Sequence, residues 1–559
     1  MKNTSFSRLA DLGEQLEQTS KRRQMAALLA DFLRELSPTE IPAAVRLTIG
    51  QTFAEWDGRA LNLNWKAVMN VVDMLIDASP SARDQMSAQA VDGGELVFLL
   101  MERIRRQSPI PPSLTILEVF RTLEAIAEIR GRGSRARKEA LLQSLLERAT
   151  PIEAKFLTKV IYQEMRHGVS EGLMINGIAR ASGIRTHLVR RANQLWGDLG
   201  EVALVALTEG EESLSRAAIR LFRPLKPMLA QTVEDLPEAF ERFEGRVALE
   251  YKLDGARVQI HRQRDQVHIY SRNLTDVTAS LPDVVAEILS SPASPEFILE
   301  GELIALDSRG RPLPFQHLMR RFRRKHDIMA AVNEIPVQLH LFDALYVDGE
   351  QLVDTSYRER WAALEKAGRG LNQVRRLIPG TVEEGEAFAQ EAHHAGHEGV
   401  MVKDLSSAYT PGVRGQSWLK LKHVMSLDLV IVAADWGYGR RHGWLSNYHL
   451  AVLDQDTGEY LIVGKTYKGL TDLEFQEMTQ RLLALERQRK RSTVLVQPQV
   501  VVEVLCNEIQ ESSQYRSGFA LRFARIARLR DDKPSTEADT LQTLRYLYAQ
   551  QFRYKGRPG

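Results

Sequence analysis

The sequence predicts three units in order: an all-helical N-terminal region, a mixed α+β middle and a strand-rich C-terminal barrel. Three observations carry this reading. Up to about residue 215, apolar residues recur at helical spacing between short breakers. After Arg223-Pro224-Leu225-Lys226-Pro227-Met228, runs rich in β-branched and aromatic residues alternate with helical ones. Beyond Met425 the strand-like runs are short and enclose a single helical stretch, as a small five-stranded barrel would require. The expected boundaries are 1–215, 216–425 and 426–559.

In the first unit, Arg22 to Leu36 has a helical apolar stripe and stops at Ser37-Pro38. Trp65 to Ile76, Glu95 to Ile104, Leu117 to Ala127 and Lys138 to Leu146 read the same way, separated by breakers such as Gly131-Arg132-Gly133-Ser134 and Thr150-Pro151. The second unit contains strand-like Arg246 to Tyr251, Arg257 to His261, Val267 to Tyr270, Phe297 to Ala305 and Val337 to Tyr346. Helices are expected at Pro282 to Leu289 and Ser356 to Lys366. The third has strands at Leu427 to Ala433, His449 to Leu453, Tyr460 to Val463 and Val500 to Leu505, with a helix from about Asp472 to Arg487.

A length of 559 residues suits three to four domains, and 44% hydrophobic with 26% charged residues is the composition of a protein with sizeable cores. The formal net charge is only +2, so any anion-binding surface must come from local basic clusters. One cysteine, Cys506, excludes internal disulfides and a four-cysteine zinc module. The N-terminus lacks an apolar export segment and no long apolar run follows, so a cytoplasmic location without membrane contact is expected.

The densest chemistry lies in Glu250-Tyr251-Lys252-Leu253-Asp254-Gly255-Ala256-Arg257. A lysine that attacks phosphorus needs nearby acids and a backbone that a phosphate can approach. Asp254 can orient or deprotonate the amine, Gly255 permits close approach, and Arg257 can hold a phosphate or ribose oxygen. Alone, the stretch is moderate evidence, since a charged turn with an exposed lysine is the plain alternative. Downstream, Glu300-Gly301-Glu302 puts two acids on one face of an apolar strand, which is costly unless they meet water, a cation or a metal. Ser271-Arg272-Asn273, an aromatic at Phe342, Glu398-Gly399-Val400-Met401-Val402-Lys403 and the alternating Trp418-Leu419-Lys420-Leu421-Lys422 follow in order.

These parts, in this order, resemble the covalent nucleotidyltransferase superfamily of ATP-dependent DNA ligases and mRNA capping enzymes, from about Arg223 to Asp539. The archaeal type of ligase, which also occurs in some bacteria, is the better match. Gly439-Arg440-Arg441-His442-Gly443-Trp444-Leu445-Ser446 and Val463-Gly464-Lys465-Thr466-Tyr467-Lys468-Gly469-Leu470-Thr471-Asp472 look like its barrel segments. Leu521-Arg522-Phe523-Ala524-Arg525-Ile526 with Arg530-Asp531-Asp532-Lys533 looks like its C-terminal motif, which a capping enzyme would lack. Glu153-Ala154-Lys155 and Arg166-His167-Gly168-Val169 resemble, more weakly, the helical DNA-binding domain, and the barrel would be an OB-fold. Glu300 stands where the family more often has Asp. An NAD-dependent ligase is disfavoured because Cys506 alone cannot build its zinc module.

The resemblance implies ATP-dependent sealing of 5′-phosphate/3′-hydroxyl nicks in duplex DNA through a lysyl-AMP intermediate on Lys252. By the same resemblance, Glu250 would accept from the adenine amino group and Phe342 would stack on the ring. Arg257 and Arg272 would contact the nucleotide and later the nick phosphate. Glu302 and Glu398 would act with Mg2+, for which Mn2+ can substitute. Lys420 and Lys422 would bind the α-phosphate, supported by Lys403, and Arg525 and Lys533 would reach the triphosphate when the barrel closes.

Three basic runs, Arg130 to Lys138, Arg320 to Lys325 and Arg440-Arg441, are candidates for phosphate contacts across several domains. Sequence specificity is not expected. A monomer bound to nicked duplex in the nucleoid is the expected state. Gln24-Met25-Ala26-Ala27-Leu28 lacks the aromatic pair of a clamp-binding peptide, so no tight sliding-clamp contact is expected there.

Overall fold

A computed structural model describes residues 3–75, 86–307, 309–313, 315–323, 327–422, 425–490 and 492–551. Among the described residues of the first region, the regular elements are all helices, joined by turns and loops. Helix starts are written locally. At Thr150-Pro151, read from sequence as a breaker, Thr150 and Glu153 exchange side-chain bonds with each other's backbone N–H, and Pro151 occupies the first turn. Gly183, at φ 76°, ends the helix Glu171–Ser182 in the left-handed conformation that favours glycine.

The middle region holds two five-stranded sheets. One has the order β1-β10-β9-β2-β8, from Leu229–Thr232, Arg414–Lys422, Gly399–Asp404, Val247–Tyr251 and Arg376–Leu377. The other has the order β4-β3-β5-β6-β7, from Gln266–Ser271, Ala256–Gln263, Glu296–Ala305, Val337–Val347 and Glu350–Gln351. Helices Pro282–Ser290 and Tyr357–Ala367 lie where the periodicity places them.

The C-terminal region is built on β11 (Met425–Trp436), β12 (Leu445–Leu453), β13 (Tyr460–Thr466), β14 (Glu486–Lys490), β15 (Thr493–Cys506) and β18 (Arg525–Leu529). They form one six-stranded sheet, one strand more than expected, beside a ribbon of β16 (Glu508–Glu511) and β17 (Phe519–Arg522). The expected helix stops at Ala484, because Glu486–Lys490 pairs with β15. Those residues are good helix formers, and sheet pairing overrides the local preference.

The helical and middle regions share a core. One buried cluster runs from Phe6 through the helices to Leu225 and Met228 and takes in Ile298, Leu345, Val353, Tyr409 and Trp418. Ion pairs cross the same junction: Lys226 reaches Glu55 at 2.8 Å and Glu171 at 2.5 Å, and Arg223 reaches Glu201 at 2.7 Å.

Candidate active site

The pairing of β2 with β9 sets the site. Tyr251 lies opposite Val400, and the ladder continues one step beyond the strands. The Lys252 N–H donates to Gly399 O at 2.9 Å and the Glu398 N–H to Lys252 O at 3.0 Å. Gly399, at φ 135°, permits that approach. The two side chains therefore meet, and the Lys252 ammonium bonds Glu398 Oε2 directly. Lys422, opposite Gly399 on β10, reaches the same oxygen at 2.8 Å. Burial alone would raise the Glu398 carboxyl, but the two lysines hold it well below the usual carboxylate range.

Lys252 joins two connected spaces. The inner one, about 120 Å³, is lined by Glu250, Arg257, Glu302, Phe342, Val374, Met401, Lys403 and Trp418 among others. The outer groove, about 670 Å³, brings Lys252, Asp254, Arg272, Glu302, Glu398, Arg414, Lys420 and Lys422 together with Arg522 and Phe523 from the C-terminal region. Alternation on β10 turns Lys420 and Lys422 to the groove and buries Leu419. Burial and the neighbouring cations Lys422, Lys252 and Arg414 lower the Lys420 ammonium from its ordinary value.

The two acids of Glu300-Gly301-Glu302 have different surroundings. Glu300 is buried and bonds Arg257 Nη2 at 2.6 Å, so its charge is met by a cation. The same guanidinium donates to Met228 O at 2.6 Å and to Tyr409 at 3.2 Å, while its buried Nε–H has no protein partner. Glu302 faces both spaces. Burial pushes its carboxyl up to about 7, against the pull of Lys252 and Arg257.

Glu250 and Lys403 are both buried and paired at 2.8 Å. The Lys403 ammonium sits 4.8 Å from the Phe342 ring centre and 4.3 Å from that of Trp418. Gly255 lines the outer groove, where phosphate approach is expected, and it also meets a packing demand: a Cβ there would stand 2.2 Å from Leu303 O on β5. Gly255→Ala is therefore expected to destabilise the fold by about 1–3 kcal/mol. Urea unfolding monitored by tryptophan fluorescence measures this.

Several expected positions lie elsewhere. Arg525 is exposed on β18, and Lys533 bonds Asp428 at 2.7 Å within the C-terminal region, whereas Arg522 and Phe523 reach the groove. Both lie in the segment Leu521 to Ile526 that drew attention, but sequence alone does not tell which of its side chains turn toward the groove. Of the basic runs, Arg321 is buried, donating to Ile335 O at 3.1 Å and bonding Asp283, and Lys138 is buried against Leu61 O at 2.6 Å. Arg441 donates to Tyr467 O at 2.9 Å over the Phe475 ring. Arg324 and Lys325 lie outside the described residues, as do His423 and Val424 of the connecting segment. Lys155 and His167 are also turned inward: Lys155 binds Glu17 at 2.8 Å and His167 Nε2 lies 2.9 Å from Thr48 O. Tyr357, whose hydroxyl bonds Glu250, is a further residue of the site that no local pattern in the sequence marks.

Known proteins match this arrangement along its length. Three family models align: "DNA ligase N terminus" over residues 5–179, "ATP dependent DNA ligase domain" over 227–422 and "ATP dependent DNA ligase C terminal region" over 441–533. DNA ligase 1 of Korarchaeum cryptofilum is 46% identical over 548 residues, covering 98% of both chains. The DNA ligase of Thermococcus onnurineus is 41% identical over 561 residues, covering 100% of both. A probable DNA ligase of Anaeromyxobacter sp. is 40% identical over 544 residues, covering 97% of this chain and 99% of that one. A solved structure described as Pmar-Lig_PreS3 shares the fold, with a TM-score of 0.54 at 18% identity over 93% of this chain.

Proposed function

The chain belongs to the ATP-dependent DNA ligases and seals nicks in DNA using ATP; from that premise we propose how its own residues perform the reaction. Lys252 Nζ attacks the ATP α-phosphorus, pyrophosphate leaves, and a lysyl-AMP phosphoramidate forms. The 5′-phosphate oxygen at the nick then attacks this phosphorus and returns the lysine, giving AMP-capped DNA. Attack of the 3′-hydroxyl on the capped 5′-phosphate closes the backbone and releases AMP. The observation that carries this reading is the placement of Lys252 between a pocket lined by Glu250 and Phe342 and a groove lined by Lys420 and Lys422.

Phe342 stacks on the base and Glu250 accepts from its amino group. Arg257 offers its remaining Nε–H, while Arg272, Lys420 and Lys422 neutralise phosphate oxygens and Lys403 supports the cluster from beneath. Arg525 and Lys533 need a second barrel position to reach the triphosphate.

Among the described residues no group of three His, Cys, Asp or Glu side chains is gathered for a metal. A carboxylate pair suits Mg2+, which keeps waters and shares substrate phosphates rather than needing a full protein cage. Glu302 and Glu398 fit that role, with Mn2+ as a substitute. Bound there, Mg2+ would neutralise charge on the departing pyrophosphate. Engagement of Glu398 by a cation would also release Lys252 from its ion pair. We expect the Glu302 carboxyl to titrate near pH 7 in metal-free protein, and Mg2+ to move its midpoint down, since a cation favours the charged form. Carboxyl-carbon NMR with and without Mg2+ reads both.

The partner proposed is nicked duplex DNA, held by a monomer in the cytoplasm at the nucleoid, with the helical region supplying affinity. No described helix is long and apolar enough to cross a membrane. Tight clamp binding through Gln24 to Leu28 is not proposed, because Met25 and Ala26 are buried in the helix Arg22–Glu35. The assay that tests the function is sealing of a labelled nicked duplex with ATP and with NAD: sealing with ATP alone is expected, and sealing with NAD alone would refute it.

A further inference from the structure

Behind the inner pocket lies a buried group that the reaction as described does not use. Tyr357 is completely buried at the start of the helix Tyr357–Ala367, fixed there by the capping box of Ser356 and Glu359. Its hydroxyl donates to Glu250 Oε1, while the Lys403 ammonium holds Oε2 at 2.8 Å. The Tyr357 ring is itself positioned, with Arg376 Cζ 5.2 Å and Lys403 Nζ 4.6 Å from its centre. Each carboxylate oxygen of Glu250 thus has a buried donor, and the carboxylate cannot rotate without breaking one of these bonds.

We propose that Tyr357 sets nucleobase selectivity, by clamping the Glu250 carboxylate in one orientation so that its acceptor lone pairs stay aimed at the base. The inference rests on the reading of Glu250 as the contact to the base amino group. A clamped carboxylate accepts from the 6-amino group of adenine. It repels the 6-carbonyl of hypoxanthine, which places an acceptor against an acceptor. Burial and the Glu250 charge raise the Tyr357 hydroxyl well above its ordinary value, so it stays a donor throughout the working pH range. Freed of Tyr357, the Glu250 carboxylate can swing away from the base edge, and the distinction between the two bases weakens. Tyr357 acts through Glu250 and is a positioning residue.

The test compares self-labelling by α-labelled ATP and α-labelled ITP, which differ at the 6-position of the base and its adjacent N1. In the full-length protein, Tyr357→Phe is expected to raise the KM for ATP roughly tenfold, leave the rate at saturation within about twofold, and lower the ATP-to-ITP preference roughly tenfold. Lys403→Gln, which removes the cationic donor on the other Glu250 oxygen, is expected to lower that preference as well and carries the test of the clamp if Tyr357→Phe does not fold. Glu250→Gln separates the two layers of the argument, because an amide can turn either its oxygen or its NH2 to the base. Loss of preference in Glu250→Gln but not in folded Tyr357→Phe would overturn the role of Tyr357 alone. An unchanged preference in Glu250→Gln would overturn the underlying contact. A Tyr357→Phe protein with lower thermal stability but wild-type KM and preference would make the tyrosine merely structural and refute the proposal.

Discussion

With Lys252 replaced by alanine, the protein incubated with α-labelled ATP and Mg2+ is expected to stay unlabelled, its self-adenylation reduced by at least about 10³-fold. The expectation follows from geometry as well as from chemistry. Lys252 is held where the inner pocket opens into the basic groove, and a phosphoramidate needs a primary amine at that junction. Lys420 and Lys422 also line the groove but not the inner pocket, so neither is placed to replace it. The fold should survive the change. Glu398 keeps its 2.8 Å bond to Lys422, so no buried carboxylate is left without a cation. A variant that labels at the wild-type rate would remove Lys252 from the mechanism, and circular dichroism establishes that the variant is folded.

Loss of either groove acid is expected to be nearly as severe. Glu302→Ala and Glu398→Ala should each lower self-adenylation or nick sealing by on the order of 10²–10³-fold, the cost of about 2.7–4 kcal/mol of transition-state stabilisation. Their routes differ. Removing Glu302 takes away a carboxylate poised near neutrality, so its defect should shrink in relative terms at low pH, where the wild-type carboxyl is protonated and silent. Removing Glu398 takes away the oxygen that Lys252 and Lys422 share, together with one of the two acids proposed to hold Mg2+. Its defect should therefore lie in metal dependence more than in lysine reactivity. A Mg2+ titration of both variants, with sealing of a nicked duplex as the readout, distinguishes these cases. Wild-type rates for both across the titration would contradict the assignment of the two acids.

The segments that carry the chemistry were legible one by one, and alternation alone turns Lys420 and Lys422 to one face, whereas the register that joins Lys252 to Glu398 is long-range and appears only in the β2–β9 ladder. What alternation cannot supply is the partner. Glu300 and Glu302 share a face as expected, yet only contact with Arg257 from β3 makes one of them a structural ion pair. The basic runs were misleading for the same reason. Arg321 and Lys138 look solvated in a charged stretch, and only the packing of neighbouring helices and loops shows that both point inward to carbonyl oxygens. Gly255 carries a packing demand that the motif does not announce, because Leu303 on β5 occupies the space a side chain would need. Arg522, Phe523 and Tyr357 depend on long-range placement, between domains or between a helix and a sheet, that no local pattern encodes.

The central claim is that Lys252 carries the nucleotide between ATP and DNA. Peptide mapping by mass spectrometry of wild-type protein after incubation with ATP and Mg2+ tests it most directly, before and after addition of a nicked duplex. The account predicts an AMP adduct on the peptide containing Lys252, lost when nicked DNA is added, with AMP recovered and the nick sealed. An adduct on any other residue, or sealing of the nick by a protein that never acquires one, would contradict it.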